Sequence, residues 1–394
     1  MLVSTHFIHY GMELANGLAE VGLDVGLVFH PENARQLMGP NFSDYLNPRV
    51  THLSMPGRHS PKPWTRSTCR NLSWLKRTIE IFSPDVLHVQ ATNDVASLWT
   101  AWRTKIPLVV TIHDVTAHPG DDEKSQLPLF QKIVKRLLIP SAVRRGVQFI
   151  THGEILKDSL AKVLEVPKKQ IHAIPHGILG GPTAFGLAAA SEDDAAQTSF
   201  ESTSSSPGTL QTLFFGRMEQ YKGLHVLRQA IPLVLGKNPA VEFVIAGHGS
   251  ALDEEMPALE KLENVTIHQR YLEQKEVEEL FQQTNLNLVP YVEASQSGVI
   301  AFGFGYGVPA VASNIGALSE AVHHKDNGLL VEANNPQALA DAILSAANED
   351  GLLISLQAGV QRWATGPLAW PAIAKQTQDV YLQAVAGMNP TALN

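Results

Sequence analysis

Short apolar runs alternate along the chain with stretches whose apolar residues recur at helical spacing. The runs 24–30 (DVGLVFH), 85–90 (DVLHVQ), 107–114 (PLVVTIHD) and 147–153 (VQFITHG) are rich in Val, Ile and Leu and end on polar or turn-forming residues. That is the pattern of strands buried on both faces. Helical periodicity occupies 10–21 and 71–82. The alternation predicts βαβ units and a parallel sheet. A further strand and turn follow at 171–178 (IHAIPHGI).

The segment 190–208 (ASEDDAAQTSFESTSSSPG) is rich in Ser, Ala and acids. It has little to bury and reads as a flexible linker or insertion. The alternation then restarts. Strands are predicted at 212–217, 241–247, 265–271, 286–291, 309–313 and 328–332, and helices at 223–236, 251–262, 274–283, 297–306, 317–323 and 336–348. A last amphipathic helix covers 370–387. The expected fold class is α/β, with two Rossmann-like doubly wound domains facing a cleft. The expected domains are 1–180 and 209–369, joined by 181–208. Ligands of such sheets sit beyond the carboxyl ends of the strands.

A chain of 394 residues is too long for one ordinary core, which agrees with two domains. Hydrophobic residues make up 44% and charged residues 17%, an ordinary globular composition. No apolar run is long enough for a transmembrane helix, and no secretion signal is recognisable at the N-terminus. Cys69 is the only cysteine, so neither an intrachain disulfide nor a cysteine metal site is expected. These features suit a reducing, cytoplasmic location. The net charge of −8 argues against a general nucleic-acid binder. Even so, the segments 45–79 and 124–145 hold seven and six Lys or Arg and no acid, which gives the first half a basic surface.

Four places carry candidate chemistry. In FFGRMEQYKG (214–223), Gly216 makes a turn after a strand, and Arg217 and Lys222 precede a helix. A guanidinium fork, an ammonium and a helix start together suit a diphosphate without metal; the alternative is two solvated surface cations. In VIAGHGS (244–250), Gly247 and Gly249 are either part of the same site or plain turn residues. In PYVEASQSGVIAFGFGYGVPAVAS (290–313), Ser297, Gly298 and Val299 open a helix that offers N–H groups to an anion. Glu293, just upstream, either accepts hydrogen bonds from sugar hydroxyls or only interacts with the helix dipole. Gly303 and Gly305 inside that helix each cost about 1 kcal/mol relative to Ala, which calls for close packing there. In TIHDVTAHPGD (111–121), His113 and Asp114 stand at a strand end. His113 either hydrogen-bonds a sugar hydroxyl or is a structural histidine. His6 and His9, in the first strand-to-helix loop, are candidates for the acceptor side together with Asp114. The sixteen histidines show no H-E-x-x-H spacing, and no metal site is expected.

The ordered set FGRMEQYKG, IAGHGS, the Glu of PYVEASQSGV, GVPAVASNIGALSE and NGLLV, with TIHDV and IPHG before it, resembles the retaining glycosyltransferases of family four, which have the GT-B fold. The resemblance covers most of the chain and is strongest in 209–335. It implies that Arg217 and Lys222 hold the donor diphosphate. It places Glu293, as the first acid of the family's paired-glutamate motif, near the donor sugar. It also implies that the amides of Ser297–Val299 contact sugar and phosphate, and that His113 faces the donor sugar. Glu320 falls in a GGLPE-like turn. The helix 370–387 would return to the first domain. The sequence departs from the family at the second glutamate, where Ala301 or Phe302 stands instead. It resembles in this a subgroup with EASQSGV-like sequences that shares the loss. The glycine-rich first loop is likewise replaced, by STHFIHYGMEL.

The implied reaction is transfer of a hexosyl-type sugar from a nucleotide-diphosphate sugar, with retained configuration and no cofactor or metal. No carboxylate is obviously placed as a nucleophile, which favours a same-face, oxocarbenium-like path. The segment 127–146 (LPLFQKIVKRLLIPSAVRRG) has an apolar stripe and a basic face. It either packs on its own domain or lies on an anionic membrane surface. A saccharide or lipid-linked saccharide, as in cell-surface polysaccharide biosynthesis, is the expected acceptor. Two readings compete with this one. One is another GT-B enzyme, such as an epimerase or phosphorylase; the other is a catalytically impaired GT-B accessory subunit.

Overall fold

The structure, a computed structural model, describes residues 1–5, 7–38, 42–60, 62, 65–90, 94–114, 139–180, 209–294 and 297–387. His6, the linker 181–208 and residues 127–138 of the basic segment lie outside the described residues. The chain forms two compact units, Met1–Gly177 with Trp370–Asn394, and Ile178–Ala369.

The first unit holds β1 (Leu2–Val3), β2 (Val25–Phe29), β3 (Val50–Ser54), β4 (Leu87–Gln90), β5 (Leu108–Ile112), β6 (Gln148–Thr151) and β7 (Ile171–Ala173). They form one sheet in the order β3-β2-β1-β4-β5-β6-β7, with parallel pairings throughout. Val3 lies between Val28 and Val89, so the centre of the sheet is aliphatic. The crossover helices include Ile8–Glu20, Arg66–Phe82, Val95–Arg103 and Glu154–Leu164. Helix Arg66–Phe82 starts five residues before its periodicity predicts, because Thr65 caps it by accepting from the Thr68 amide at 3.0 Å. β3 was not expected at all. Only Val50 of its five residues is buried, so an edge strand here leaves no apolar run to read.

The C-terminal helix Trp370–Gly387 belongs to this unit. Its buried residues Trp370, Ile373, Ala374, Thr377, Val380 and Ala384 recur at three- and four-residue intervals and form one stripe. The stripe seats on helix Ile8–Glu20, where a side chain at Gly17 would press on the Trp370 carbonyl.

The second unit holds β8 (Leu210–Phe215), β9 (Val241–Gly247), β10 (Val265–Gln269), β11 (Leu286–Val289), β12 (Ala310–Ser313) and β13 (Gly328–Val331). Their order is β10-β9-β8-β11-β12-β13, again parallel. Helix Leu352–Thr365 was not expected from the sequence; it packs on helix Pro336–Asn348 and helix Gly298–Gly305. The unit starts at Ile178, slightly earlier than the expected end of the first domain at 180. The cause is local: the Leu179 amide donates to the Ala301 carbonyl at 2.9 Å, and Gly180 lies against Phe302 and Tyr306.

In both sheets the strand order reverses direction at the centre, between β1 and β4 and between β8 and β11. These switch points open a crevice at the carboxyl ends of the strands. The two units are therefore Rossmann-like parallel-sheet domains, each with a place for a ligand at its strand ends.

Candidate functional site

In the second unit the ends of β8, β9 and β11 are laced together by their loops. Met218 donates its amide to the His248 carbonyl at 2.9 Å, and Ala251 donates to Met218 at 3.0 Å. Val292 donates to the Tyr221 carbonyl at 2.8 Å. Gly247, with φ +147°, lies so close to the Gly216 carbonyl that any Cβ would collide with it. The glycine spacing of the sequence thus has a definite cause: two strand-end loops pack backbone to backbone.

Lys222 comes out of this lacing in an unusual state. It ends the 3-10 turn Gln220–Lys222 and is only 6% exposed. Its Nζ lies 5.2 Å from the centre of the Tyr291 ring and forms no ion pair with any described residue. A Cβ on Gly216, where φ is +122°, would strike that Nζ and approach Val299 Cγ2 at 3.7 Å. The ammonium therefore stands against the Gly216 turn, whose open side also faces Val299 in the first turn of helix Gly298–Gly305. A buried cation without an acid is costly unless something anionic joins it. The π-face of Tyr291 offsets part of that cost.

The helix start faces the same need. Ser297 occupies the N-cap but its side chain caps nothing; its Oγ lies 3.4 Å from the Tyr291 hydroxyl. Gly298 is exposed, with open space around it. The first amides of the helix are thus left to an outside acceptor. Arg217 is exposed and has no ion pair with a described residue. Lys222 and Val299 both border the space beside Gly216, and Ser297 and Gly298 precede Val299 in the chain.

Glu293 is exposed, two residues beyond Tyr291. The carbonyl of the following residue, Ala294, packs on Gly316. Glu320 is half-buried on the short helix Leu318–Ala321 that follows this turn. Ala301 and Phe302, where a second acid would stand, are 7% and 9% exposed. Phe302 packs against Phe281 and Tyr306, with ring centres 5.0 and 5.3 Å apart. Gly305 abuts the carbonyls of Leu179 and Gly180, which answers why a helix would carry glycines there. The positions of the missing acid are therefore filled by an apolar cluster.

The first unit builds a different kind of place. His113, 1% exposed, follows β5 and stacks on Phe7 with ring centres 3.7 Å apart. Its Nε2 lies 2.7 Å from Gln90 Oε1 and its Nδ1 lies 3.1 Å from His152 Nε2. Both ring nitrogens thus already face protein atoms. A bond from His113 to a sugar hydroxyl would require one of these contacts to open. His152 follows β6, and His176 stands three residues past β7. Tyr10 lies edge-on or tilted against all three rings, at 4.9–5.1 Å. Burial holds His113 and His152 well below the ordinary imidazole value, with neighbouring histidines adding to the effect; burial also brings His176 down to about 4. His9 is brought down to about 4 by burial as well, and its Nε2 is buried without a partner. Asp114 is exposed beside His113.

Tyr291, His152 and His176 were not singled out from the sequence. The available signal for the histidines was positional. TIH, ITH and AIPH each put a histidine within three residues of the end of one of three adjacent strands.

The comparisons with known proteins follow these two units. Residues 9–178 match the family model Glycosyltransferase Family 4, and residues 209–349 match Glycosyl transferases group 1. The first unit thus matches a family-four glycosyltransferase domain and the second a group 1 glycosyltransferase domain. The chain is 32% identical over 177 residues to a D-inositol 3-phosphate glycosyltransferase of Corynebacterium urealyticum, covering 43% of this chain and 42% of that one. It is 25% identical over 287 residues to a glycogen synthase of Mycobacterium tuberculosis, covering 72% and 64%. An uncharacterized glycosyltransferase of Methanocaldococcus jannaschii is 25% identical over 237 residues, 59% of each chain. The alignments therefore span about two-fifths to two-thirds of these relatives. Among solved structures, a glycosyltransferase of Rickettsia africae superposes with a TM-score of 0.66 at 17% identity, covering 97% of both chains. Anabaena HepE in complex with UDP-glucose gives 0.64 at 16% identity, covering 96% and 97%. These likenesses show the GT-B fold.

Proposed function

We propose that the protein transfers a sugar from a nucleotide-diphosphate sugar to an acceptor, with retention of anomeric configuration. The observation that carries this reading is Lys222: a buried ammonium without an acidic partner among the described residues, set against the Gly216 turn, which also faces the uncapped helix start at Val299. A diphosphate supplies the missing negative charge. The UDP and UDP-glucose in the HepE structures support a nucleotide sugar as that ligand.

The chemistry follows from where charge develops. As the glycosidic bond breaks, negative charge grows on the leaving diphosphate. Lys222, Arg217 and the amides at Gly298 and Val299 stabilise it there. Glu293 accepts hydrogen bonds from hydroxyls of the transferred sugar. The ribose, lacking an acid at 301 or 302, is held by other groups. No metal takes part in this binding.

The acceptor is a saccharide or a lipid-linked saccharide, and the segment 127–146 approaches an anionic membrane surface. Of its basic residues, Arg145 is not available for that surface: its guanidinium donates to the carbonyls of Ala101 and Trp102. No described helix is long and apolar enough to cross a membrane.

A second reading rests on the apolar filling at 301 and 302: a GT-B accessory subunit that binds without turnover. Thermal stabilisation by UDP, GDP, ADP and TDP tests both. A ligand at 100 times its dissociation constant adds about 2.7 kcal/mol. The proposed function expects one diphosphate to stabilise the wild type and Lys222→Ala with Arg217→Ala to lose the effect. If no diphosphate stabilises the wild type, the accessory reading replaces it.

A further inference from the structure

We infer that His113, His152 and His176 form a binding site for one divalent transition-metal ion, of which zinc is the representative, at the strand ends of the first unit. This inference goes beyond sugar transfer and does not rest on it.

The partners of the three rings fix their tautomers. Each of the three rings has one nitrogen aimed at a carbonyl oxygen. His113 Nε2 faces Gln90 Oε1 at 2.7 Å, His152 Nδ1 faces the Ile174 carbonyl at 3.3 Å, and His176 Nδ1 faces the Gly177 carbonyl at 2.7 Å. A carbonyl only accepts, so each of those nitrogens carries the proton. The other nitrogen of each neutral ring is then a bare lone pair. These are His113 Nδ1, His152 Nε2 and His176 Nε2. Two of them, His113 Nδ1 and His152 Nε2, are 3.1 Å apart. Two lone pairs do not face each other at that distance unless a cation lies between or beside them.

The arrangement matches what a metal needs. One ligand nitrogen from each ring lies within 4.8 Å of one from each of the others. Two imidazole nitrogens on a tetrahedral zinc, at about 2.0–2.1 Å each, stand roughly 3.4 Å apart. His176 is the least buried of the three and sits on the loop past β7, so it is the ring with room to close the remaining gap. Histidine ligands of metals commonly donate their second nitrogen to a carbonyl or carboxylate, and that outer bond fixes the ring. Gln90, Ile174 and Gly177 supply three such bonds. Tyr10 against all three rings and Trp370 against Tyr10 give the apolar shell.

A specific rival exists. Gln90 Nε2 is buried without a partner among the described residues. If the Gln90 amide is reversed, its N–H donates to His113 Nε2, His113 Nδ1 donates to His152 Nε2, and no metal is needed. The two arrangements differ in what the protein binds.

The test uses the full chain, stripped with a chelator and dialysed. Zinc content after re-addition is measured by mass spectrometry, affinity by competition with a chromophoric chelator, and geometry by the visible absorption of the cobalt-substituted protein. The expected result is one zinc per chain and a low-coordinate cobalt spectrum. His176→Gln, in the least buried of the three rings, should weaken zinc binding at least tenfold while far-UV circular dichroism stays unchanged. Gln90→Leu should weaken it by about 10–100-fold, the range for loss of an outer-shell partner. Lys222→Ala, in the other unit, should leave zinc binding intact. A wild type that retains no stoichiometric zinc overturns the inference in favour of the hydrogen-bonded relay. A His176→Gln protein that binds zinc as tightly as wild type overturns it too, because the metal then sits elsewhere.

Discussion

The strand ends of the two units differ in how their polar groups are satisfied. In the second unit Lys222 and Arg217 have no acidic partner among the described residues, and the helix start at Ser297 is uncapped. Glycines hold the loops together and keep side chains out of the way. In the first unit His113 and His152 are buried, each ring nitrogen faces a protein atom, and aromatic rings fill the space around them. One place is left incomplete and positively charged. The other is buried and lined by histidine and aromatic rings. Two copies of one architecture, with the same switch-point crevice, thus differ in their side chains: the second unit leaves cations without an acidic partner among the described residues, and the first turns its histidines onto its own groups.

The comparison is broken most severely by putting a carboxylate into the apolar floor of the second unit. Phe302→Glu removes a ring packed on Phe281 and Tyr306 and buries an acid without a partner. Loss of such a ring alone costs about 3–5 kcal/mol, and the desolvated acid adds to it. The expected outcome is a chain that does not fold at room temperature, read by urea denaturation against Phe302→Leu, which should remain folded. A stable, more active Phe302→Glu would show that this position still serves as a ribose-binding site. Next comes Lys222→Ala. It should leave the fold intact and lower turnover by about 10^3-fold, roughly 4 kcal/mol, the scale for removing one preorganised charge from a transition state. A loss below tenfold would mean that Lys222 is a structural cation stacked on Tyr291.

The first unit makes the opposite prediction, one of stability with pH. His88 sits between the Tyr381 hydroxyl and Thr111 Oγ1, at 2.7 Å from each, and burial brings it down to about 3. Its folded-state value lies below the value of about 6.5 in the unfolded chain, so the unfolded chain takes up the proton first. The stability this group contributes is present above pH 6.5 and is lost as pH falls toward 3. By pH 4 the loss is on the order of 3 kcal/mol. His88→Gln should flatten that acid limb in a denaturation series. An unchanged slope would place the titration on other groups.

The sequence made some of this legible and hid the rest for physical reasons. The buried strands are readable because burial on both faces leaves unbroken apolar runs. β3 is not, because an edge strand with one buried residue has none. Arg217, Lys222 and Glu293 stand out in the sequence as candidates for a phosphate-and-sugar set because cations, glycines and a helix start fall in one short order. Whether Lys222 is paired is not readable, since pairing depends on residues distant in sequence, and its seat on Tyr291 appears only in three dimensions. The histidine cluster draws one ring from each of three strands that are adjacent in the sheet but far apart in the chain. A search for ligands at helical spacing passes over it. His113 was singled out from its strand end, but its engagement with Gln90 and His152 depends on that sheet order.

The mildest test of the contrast is Arg217→Lys. Arg217 is exposed and has no acidic partner among the described residues, which leaves its guanidinium open to a ligand. Lysine keeps the charge and removes the planar fork that grips two phosphate oxygens at once. If Arg217 is a bidentate clamp, nucleotide affinity should fall by about tenfold, roughly 1.4 kcal/mol, while the unliganded melting temperature stays the same. If it contributes only to the field around the site, affinity at low salt should be unchanged, and the loss in Arg217→Ala should shrink as ionic strength rises. Isothermal titration at two salt concentrations separates the two. A fork would make the second unit a shaped phosphate site, whereas a field effect would make Lys222 and the helix start its only specific contacts.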